Sequence, residues 1–266
     1  MPHLFHLASV LIPGMFRLGG LRIPIYGLFA AAAVIAALWL SQRTAPMAGL
    51  SANKLWDAGV VTIAAAFIAS RLLLIALDFR AFVRFPLFVL ALPSLTYGGL
   101  AVTAFVTYTW LRVKRLPILS VLDAWAPCAA LLAAILSFGH FMEGTEGGMP
   151  TRLPWGMHTP GDSILGRVHP VQVYTLIVAL ALCEYTLIRL RRRKIAGEVA
   201  ARALALGGLA SFLLDFVHQP VESQGHAYLD PGQWIALLAM IAGVTLWLFP
   251  QPASQPSQPE PTPEPS

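Results

Sequence analysis

Residues 55–77 read LWDAGVVTIAAAFIASRLLLIAL, a run of 23 residues in which only two side chains carry charge. A helix needs about 20 mostly apolar residues to cross the hydrocarbon core of a bilayer, so this stretch alone predicts a membrane-spanning helix. The rest of the chain is similar: of its 266 residues, 57% are hydrophobic and 12% are charged, and its mean hydropathy is +0.68. Soluble domains carry about 25% charged residues. The composition therefore excludes an ordinary soluble domain and predicts an integral membrane protein.

Six further apolar stretches accompany this one, and they are too long and continuous to be barrel strands. The predicted fold class is all-α, a polytopic membrane protein of about seven transmembrane helices that forms one domain over residues 1–249. The third stretch is short, and we expect it to extend back toward Phe88. The seven predicted spans are residues 25–40, 55–77, 97–111, 117–142, 169–190, 199–217 and 233–249.

Lys and Arg residues in the short loops predict the orientation of the helices, because cytoplasmic loops carry an excess of them. With the N-terminus outside, the inner loops hold ten of these residues and the outer segments hold six. The basic run at residues 191–194 dominates the difference. We therefore expect an N-out, C-in arrangement.

The two ends of the chain are predicted to lie outside the helix bundle. Residues 4–16 are apolar but short, and they lack a leading basic region and a cleavage site. They therefore favour an interfacial helix over a signal peptide. Residues 250–266 are mostly Pro, Gln, Ser and Glu, which predicts a disordered tail.

The remaining composition disfavours several classes of function. The net charge of +5 is scattered among apolar spans, which fits loops beside anionic lipid better than a nucleic-acid-binding face. Two cysteines cannot build a disulfide scaffold or a four-cysteine metal site, and no His or Cys residues have zinc-ligand spacing. We therefore expect no zinc site and no nucleic-acid partner.

Polar residues crowd the end of the fourth predicted span. Residues 137–156 read SFGHFMEGTEGGMPTRLPWG, with His140, Glu143 and Glu146 at three-residue spacing. If the helix continues, this spacing places them along one side, and the glycines that follow then break the helix. Irregular backbone at the membrane boundary is tolerated where it lines a cavity. The alternative is an ordinary polar exit loop.

A second cluster opens the fifth predicted span. Residues 167–174 read RVHPVQVY, and the proline suits the first turn of a helix. We expect His169, Gln172 and Tyr174 to face into the bundle.

A third cluster ends the sixth span, where Asp215 and His218 precede a loop with further acids and histidines. An acid among apolar residues needs a partner or a wet cavity. A site role and a helix-packing ion pair are equally compatible with Asp215.

Two other charged residues lie within predicted spans. Arg71 is close to the end of the second span, where it could serve as a snorkelling anchor or in a site. Asp123 is interpreted as a first-turn acid favoured by the helix dipole.

On the predicted orientation, Arg71 and all three clusters lie toward the outer leaflet. A transport pathway would carry charges nearer the middle of the membrane or on both sides. The one-sided pattern therefore favours work on a lipid or on a peptide close to the lipid.

At these residues the chain resembles the prolipoprotein diacylglyceryl transferases, bacterial inner-membrane enzymes that start lipoprotein maturation. The resemblance covers about residues 23–248. Its most specific parts are PTRLPWG at 150–156, close to the family's Pro-Thr-Asp-Leu-Pro-Trp-Gly, and HPVQVY at 169–174, which matches His-Pro-x-Gln-x-Tyr. Weaker matches are IYGL at 25–28, ASRL at 69–72 and YGGL at 97–100.

The resemblance implies a reaction. These enzymes move the diacylglyceryl group of phosphatidylglycerol to the sulfur of a lipobox cysteine and release glycerol phosphate. Such a displacement needs a base to favour the thiolate and cations to hold the departing phosphate. The implied partners are phosphatidylglycerol, prolipoprotein signal peptides and membrane lipids, in the bacterial inner membrane. The resemblance implies no metal and no organic cofactor.

The resemblance also implies a set of site residues. Ser137 and Ser211 lie where the family has arginines, so Arg71, Arg152 and Arg167 are candidates to replace them. The predicted catalytic residues are Tyr26, Tyr97, His140, His169 and Asp215. The predicted substrate-binding residues are Arg71, Glu143, Gly148, Arg152, Arg167, Gln172 and Tyr174.

Two alternatives remain beside the transferase. One is a catalytically silent relative that binds lipid or lipoprotein precursors, which Ser137 and Ser211 favour. The other is a small multi-span transporter, which the one-sided polar pattern disfavours.

Overall fold

Eight helices make up most of the computed structural model, which describes residues 15–18, 21–77, 79–84, 97–144, 148–158, 167–218 and 229–249. In chain order the helices are α1 (Ile25–Met47), α2 (Ala52–Leu77), α3 (Phe79–Arg84), α4 (Tyr97–Val113), α5 (Ile118–Glu143), α6 (Val171–Arg191), α7 (Glu198–Asp215) and α8 (Pro231–Leu248). Two short antiparallel hairpins pair β1 (Met15–Leu18) with β2 (Leu21–Pro24), and β3 (Met157–His158) with β4 (Arg167–Val168).

Each of the seven predicted spans contains a helix, and the all-α membrane fold is confirmed. Five helices of the described chain are long and apolar enough to cross a bilayer: α1, α2, α5, α6 and α8. α4 has only 17 residues, and the 18 residues of α7 include three charged side chains. Seven crossings and the N-out, C-in orientation therefore remain predictions.

The predicted interfacial helix at residues 4–16 is wrong where it can be compared. Residues 4–14 lie outside the described part of the chain, but Met15 and the residue after it belong to β1. The register pairs Met15 with Pro24 and Leu18 with Leu21, so the backbone groups bond across a hairpin instead of along a helix. The predicted tail at residues 250–266 is also outside the described residues.

Glycines let the last two helices pack closely. A Cβ atom on Gly243 of α8 would lie 2.4 Å from the backbone nitrogen of Ala205 on α7. A Cβ atom on Gly208 of α7 would lie 2.6 Å from the carbonyl oxygen of Ala236 on α8. Small residues of this kind allow helix backbones to approach within a membrane, so α7 and α8 form a tightly joined pair.

A buried polar network joins α5, α6 and α7 at one end of the bundle. Their polar clusters lie at the other end. Asp123 is 0% exposed, and Oδ2 accepts hydrogen bonds from Arg193 Nη1 at 2.7 Å and from the Gly197 backbone at 2.8 Å. Oδ1 accepts from the backbone N–H groups of Val199 at 2.9 Å and Ala200 at 2.8 Å. The first-turn interpretation of Asp123 is therefore wrong, because this carboxylate caps the N-terminus of α7 from a neighbouring helix.

Glu198 begins α7 beside this network. Its carboxylate accepts hydrogen bonds from Arg202, from the Lys194 backbone at 3.1 Å and from Arg189 at 2.7 Å. Burial alone would raise the pKa of Glu198, but these hydrogen bonds outweigh it and lower the pKa from 4.5 to about 2. The basic loop predicted from residues 191–194 is thus partly fixed by ion pairs.

Candidate functional site

Three helix ends converge on one polar cavity. It has a volume of about 220 Å³ and lies where α5 ends, α6 begins and α7 ends. The lining residues are Ser137, His140, Val171, Gln172, Thr175, Ser211, Leu214, Asp215 and His218.

Helical spacing explains why these side chains meet. Ser137 and His140 are one turn apart on α5, and so are Gln172 and Thr175 on α6. On α7 and the turn after it, lining residues recur at 211, 214, 215 and 218, which is one face of a helix. Each helix therefore presents a polar stripe to the same space.

The end of α5 is fixed by glycine, as the sequence predicts. Gly144 follows the last helical residue with φ of +70°, and its N–H donates to the carbonyl oxygens of His140 and Phe141. This left-handed cap is typical of glycine. Glu143 is the last helical residue and is half-buried, and it does not line the cavity. Glu146 lies outside the described residues.

Tyr26 contacts His140 at the edge of the cavity. Their ring centroids are 4.2 Å apart with a tilt of 36°. The neighbouring Gly139 allows this approach, because a Cβ atom there would lie 2.8 Å from Phe29 Cβ. The first turn of α1 therefore holds one side of the His140 ring.

Backbone hydrogen bonds close the same end of the bundle. We call this arrangement the three-segment bridge; it consists of residues 148–151, 167–169 and 217–218. The Met149 N–H donates to the Val217 carbonyl at 2.8 Å, and the His169 N–H donates to the Met149 carbonyl at 3.0 Å. A Cβ atom on Gly148 would lie 2.3 Å from the His169 carbonyl oxygen. Gly148 therefore has a packing reason to be glycine.

A chain of hydrogen bonds extends from this bridge. Trp155 Nε1–H donates to the Tyr174 hydroxyl at 2.8 Å, and that hydroxyl lies 3.3 Å from Nδ1 of His169. Trp155 is 58% exposed. Both family-like segments, PTRLPWG and HPVQVY, are thus joined by their aromatic residues, although His169 and Tyr174 do not line the cavity.

The three candidate arginines lie away from the cavity lining. Arg71 is half-buried on α2, with its guanidinium carbon 5.2 Å from the centre of the Phe67 ring. Arg152 is exposed, and Arg167 Nη1 is 3.5 Å from the Pro154 carbonyl oxygen. The described lining contains neither Arg nor Lys.

The structure thus brings together only part of the predicted set. His140, Gln172 and Asp215 line the cavity, and Tyr26 touches it through His140. Sequence reasoning did not include His218 among the site residues, although its three-residue spacing from Asp215 was the available signal. The side chain of Tyr97 and the loop residues 219–228 lie outside the described part of the chain. No group of three His, Cys, Asp or Glu side chains within the described residues is arranged to hold a metal ion.

The fold and the cavity together define a multi-pass α-helical membrane protein with polar chemistry at one end of its bundle. A family model, "Prolipoprotein diacylglyceryl transferase", matches residues 13–249. The chain belongs to this family, and the resemblance found in the sequence is confirmed.

Curated relatives extend this finding. A protein of Clostridium tetani is 26% identical over 238 residues, which cover 87% of this chain and 95% of that protein. A protein of Bordetella parapertussis is 35% identical over 161 residues, covering 58% and 60% of the two chains. One of Synechococcus elongatus is 30% identical over 183 residues, covering 64% and 62%. All three are named phosphatidylglycerol–prolipoprotein diacylglyceryl transferase.

Proposed function

We propose that this protein transfers the diacylglyceryl group of phosphatidylglycerol to the cysteine thiol of a prolipoprotein signal peptide. A sulfur–carbon bond forms at the glyceryl carbon while the carbon–oxygen bond to phosphate breaks. The thiol proton passes to a base, and glycerol phosphate leaves. Family membership and the names of the relatives support this reaction over a silent relative.

The observation that carries the assignment of roles is the cavity at the junction of α5, α6 and α7. His140 is the proposed base, because imidazole accepts a proton near neutral pH. Its contact with Tyr26 would hold the ring in one orientation. Asp215 lines the same cavity. Its carboxylate is proposed to stabilise the positive charge that His140 gains when it takes the thiol proton.

The departing phosphate needs hydrogen-bond donors. Ser137 donates its hydroxyl to the Ala133 carbonyl at 2.8 Å, and Thr175 donates to the Val171 carbonyl at 3.0 Å. These two hydroxyls already use their protons within their own helices. The amide of Gln172, the hydroxyl of Ser211 and the imidazole of His218 line the cavity and are the proposed donors.

The test is transfer by the full-length protein in vesicles that contain phosphatidylglycerol, with a synthetic lipobox peptide. The wild-type protein should increase the peptide mass by one diacylglyceryl group. His140→Gln should lower the rate by about 10²- to 10⁴-fold if His140 is the base. The matched control Thr109→Ala, on an exposed face of α4, should leave the rate unchanged. An unchanged rate in His140→Gln would contradict the assignment.

The silent-relative alternative is favoured by one observation, the presence of both Ser137 and Ser211 in the cavity lining. Phosphatidylglycerol retention on the purified protein, measured by native mass spectrometry, separates the two functions. Retention without transfer would identify the silent relative. If the transferase is right, Ser211→Arg should raise its rate, because a guanidinium stabilises a departing phosphate.

We further propose that the protein lies in the bacterial cytoplasmic (inner) membrane with its N-terminus outside. Reporter fusions after residue 249 test this orientation. A cytoplasmic fluorescent reporter should be active there, and a periplasmic phosphatase reporter should be inactive. The reverse result would contradict the orientation.

A further inference from the structure

An apolar groove continues directly from the polar cavity. It lies between α5, α6 and α7, has a volume of about 430 Å³, and shares Thr175, Ser211 and Leu214 with the cavity. Nine of its 17 lining residues are Ala or Gly, and none is charged. Leu122 and Leu204 at its edge are each 38% exposed, so the groove opens toward the side of the bundle.

The length of the groove corresponds to that of an extended acyl chain. Its lining extends from Leu122 to Ala133 on α5 and from Ala200 to Leu214 on α7. At a rise of 1.5 Å per residue, these stretches are about 16 Å and about 21 Å long. An eighteen-carbon acyl chain extends about 20 Å, given carbon–carbon bonds of about 1.5 Å.

The width of the groove favours a hydrocarbon chain over an enclosed helix. All its open space, including the part outside its mouth, is about 1100 Å³. Spread over at least 16 Å, that space has a mean cross-section of no more than about 70 Å². A helix with side chains is about 10–12 Å across, which requires about 80–110 Å². A signal-peptide helix is therefore too wide to be enclosed by the groove, whereas a single hydrocarbon chain can be enclosed.

We propose that this groove holds one acyl chain of the lipid substrate and that its deep end limits the chain length. The proposal rests on the proposed function, since the polar cavity would hold the headgroup at the groove's open end. Trp125 lies at the deep end, near the Asp123 network. A chain that enters beside Ser211 runs down the stripe of small residues toward Trp125.

Ala203 offers a direct test of this arrangement. It lines the groove eight residues before Ser211, which is about 12 Å along α7. Ala203→Leu should obstruct an eighteen-carbon chain and leave room for an eight-carbon chain, which extends only about 9 Å. The assay is a competition in detergent micelles between dioleoyl and dioctanoyl phosphatidylglycerol, with both lipidated peptides resolved by mass in one reaction.

We expect Ala203→Leu to lower the ratio of long-chain to short-chain product by about tenfold, since lost space for a few methylenes has effects of this size. The ratio does not depend on how much protein is folded. Ala203→Val should give a smaller change in the same direction. Leu206→Phe, on the same helix but outside the groove lining and 44% exposed, should leave the ratio unchanged.

An unchanged ratio in Ala203→Leu would overturn the proposal, and so would an equal change in Leu206→Phe. A higher KM for the peptide with an unchanged lipid ratio would assign the groove to the signal peptide. If the wild-type protein transfers neither lipid, the proposed function fails. Native mass spectrometry of the two retained lipids then still tests the groove, and equal retention of both by wild type and Ala203→Leu would overturn it.

Discussion

Asp123 provides the sharpest test of how the bundle is held together. Each carboxylate oxygen accepts two hydrogen bonds, one pair from Arg193 and Gly197 and the other from Val199 and Ala200. In Asp123→Asn, the amide NH₂ must replace one of these oxygens. Whichever way the amide turns, its NH₂ then faces two donors, so the usual conservative substitution cannot restore the network.

The size of the effect follows from this geometry. The substitution leaves the Arg193 guanidinium without its counter-charge, and the Arg193 side chain is only 17% exposed. Breaking a buried ion pair on one side costs about 3–5 kcal/mol. The substitution can also deprive the N–H groups of Val199 and Ala200 of their acceptor. This loss overlaps with the cost of breaking the ion pair, so the two are not added. We expect a loss of about 3–5 kcal/mol in the free energy of unfolding for both Asp123→Asn and Asp123→Ala.

The protein carries its own probe for this measurement. Its two cysteines, Cys128 and Cys183, are free and buried, so a thiol-reactive dye gains fluorescence only as the bundle opens. In detergent, the midpoint of thermal unfolding should fall by about 10 °C, at 2–4 °C per kcal/mol for a chain of this size. Asp57→Asn is the matched control, because Asp57 is exposed on α2. An Asp123→Asn protein that unfolds at the wild-type temperature would refute this account of the network.

Three further predictions follow from other contacts. Gly243→Ala places a methyl group against the backbone of Ala205; it should destabilise the protein by about 1–3 kcal/mol, which the same dye assay measures against Ala242→Val on the exposed face of α8. Trp155→Phe removes the N–H that donates to Tyr174; it should lower transfer by about 2- to 10-fold, the equivalent of one neutral hydrogen bond, with the unfolding temperature unchanged. Because the folded-state pKa of Glu198 is lowered from 4.5 to about 2, its contribution to stability is present above pH 4.5 and is lost as the pH falls toward 2; a Glu198→Gln protein that shows the same loss between these values would contradict this.

Hydropathy predicts the helices of this protein well, because each span must bury about 20 residues in hydrocarbon whatever it packs against. The predicted span ends at residues 77, 142 and 190 match the C-terminal ends of α2, α5 and α6 to within one residue. The β1–β2 hairpin was missed because its strands are only four residues long. Its stability comes from pairing between two segments, which is not a periodic property of either.

The candidate site was predictable in part, because polar residues stand out against the apolar spans. His140 and Asp215 stand out because polar groups at the ends of apolar spans are costly unless they have partners or water. That these two residues line one cavity depends on the packing of α5 against α7, which the sequence does not specify. Asp123 was misread for the same reason, since its partners are about 70 residues away along the chain.

The three-segment bridge has a consequence for how this protein can change over time. Its hydrogen bonds join main-chain atoms, so they do not depend on which side chains residues 149 and 217 carry. Those positions can drift freely in size and polarity while the closure beside His140 persists. Gly148 is the exception, because a side chain there would meet the His169 carbonyl at 2.3 Å. Saturation mutagenesis should therefore find residues 149 and 217 tolerant and residue 148 intolerant.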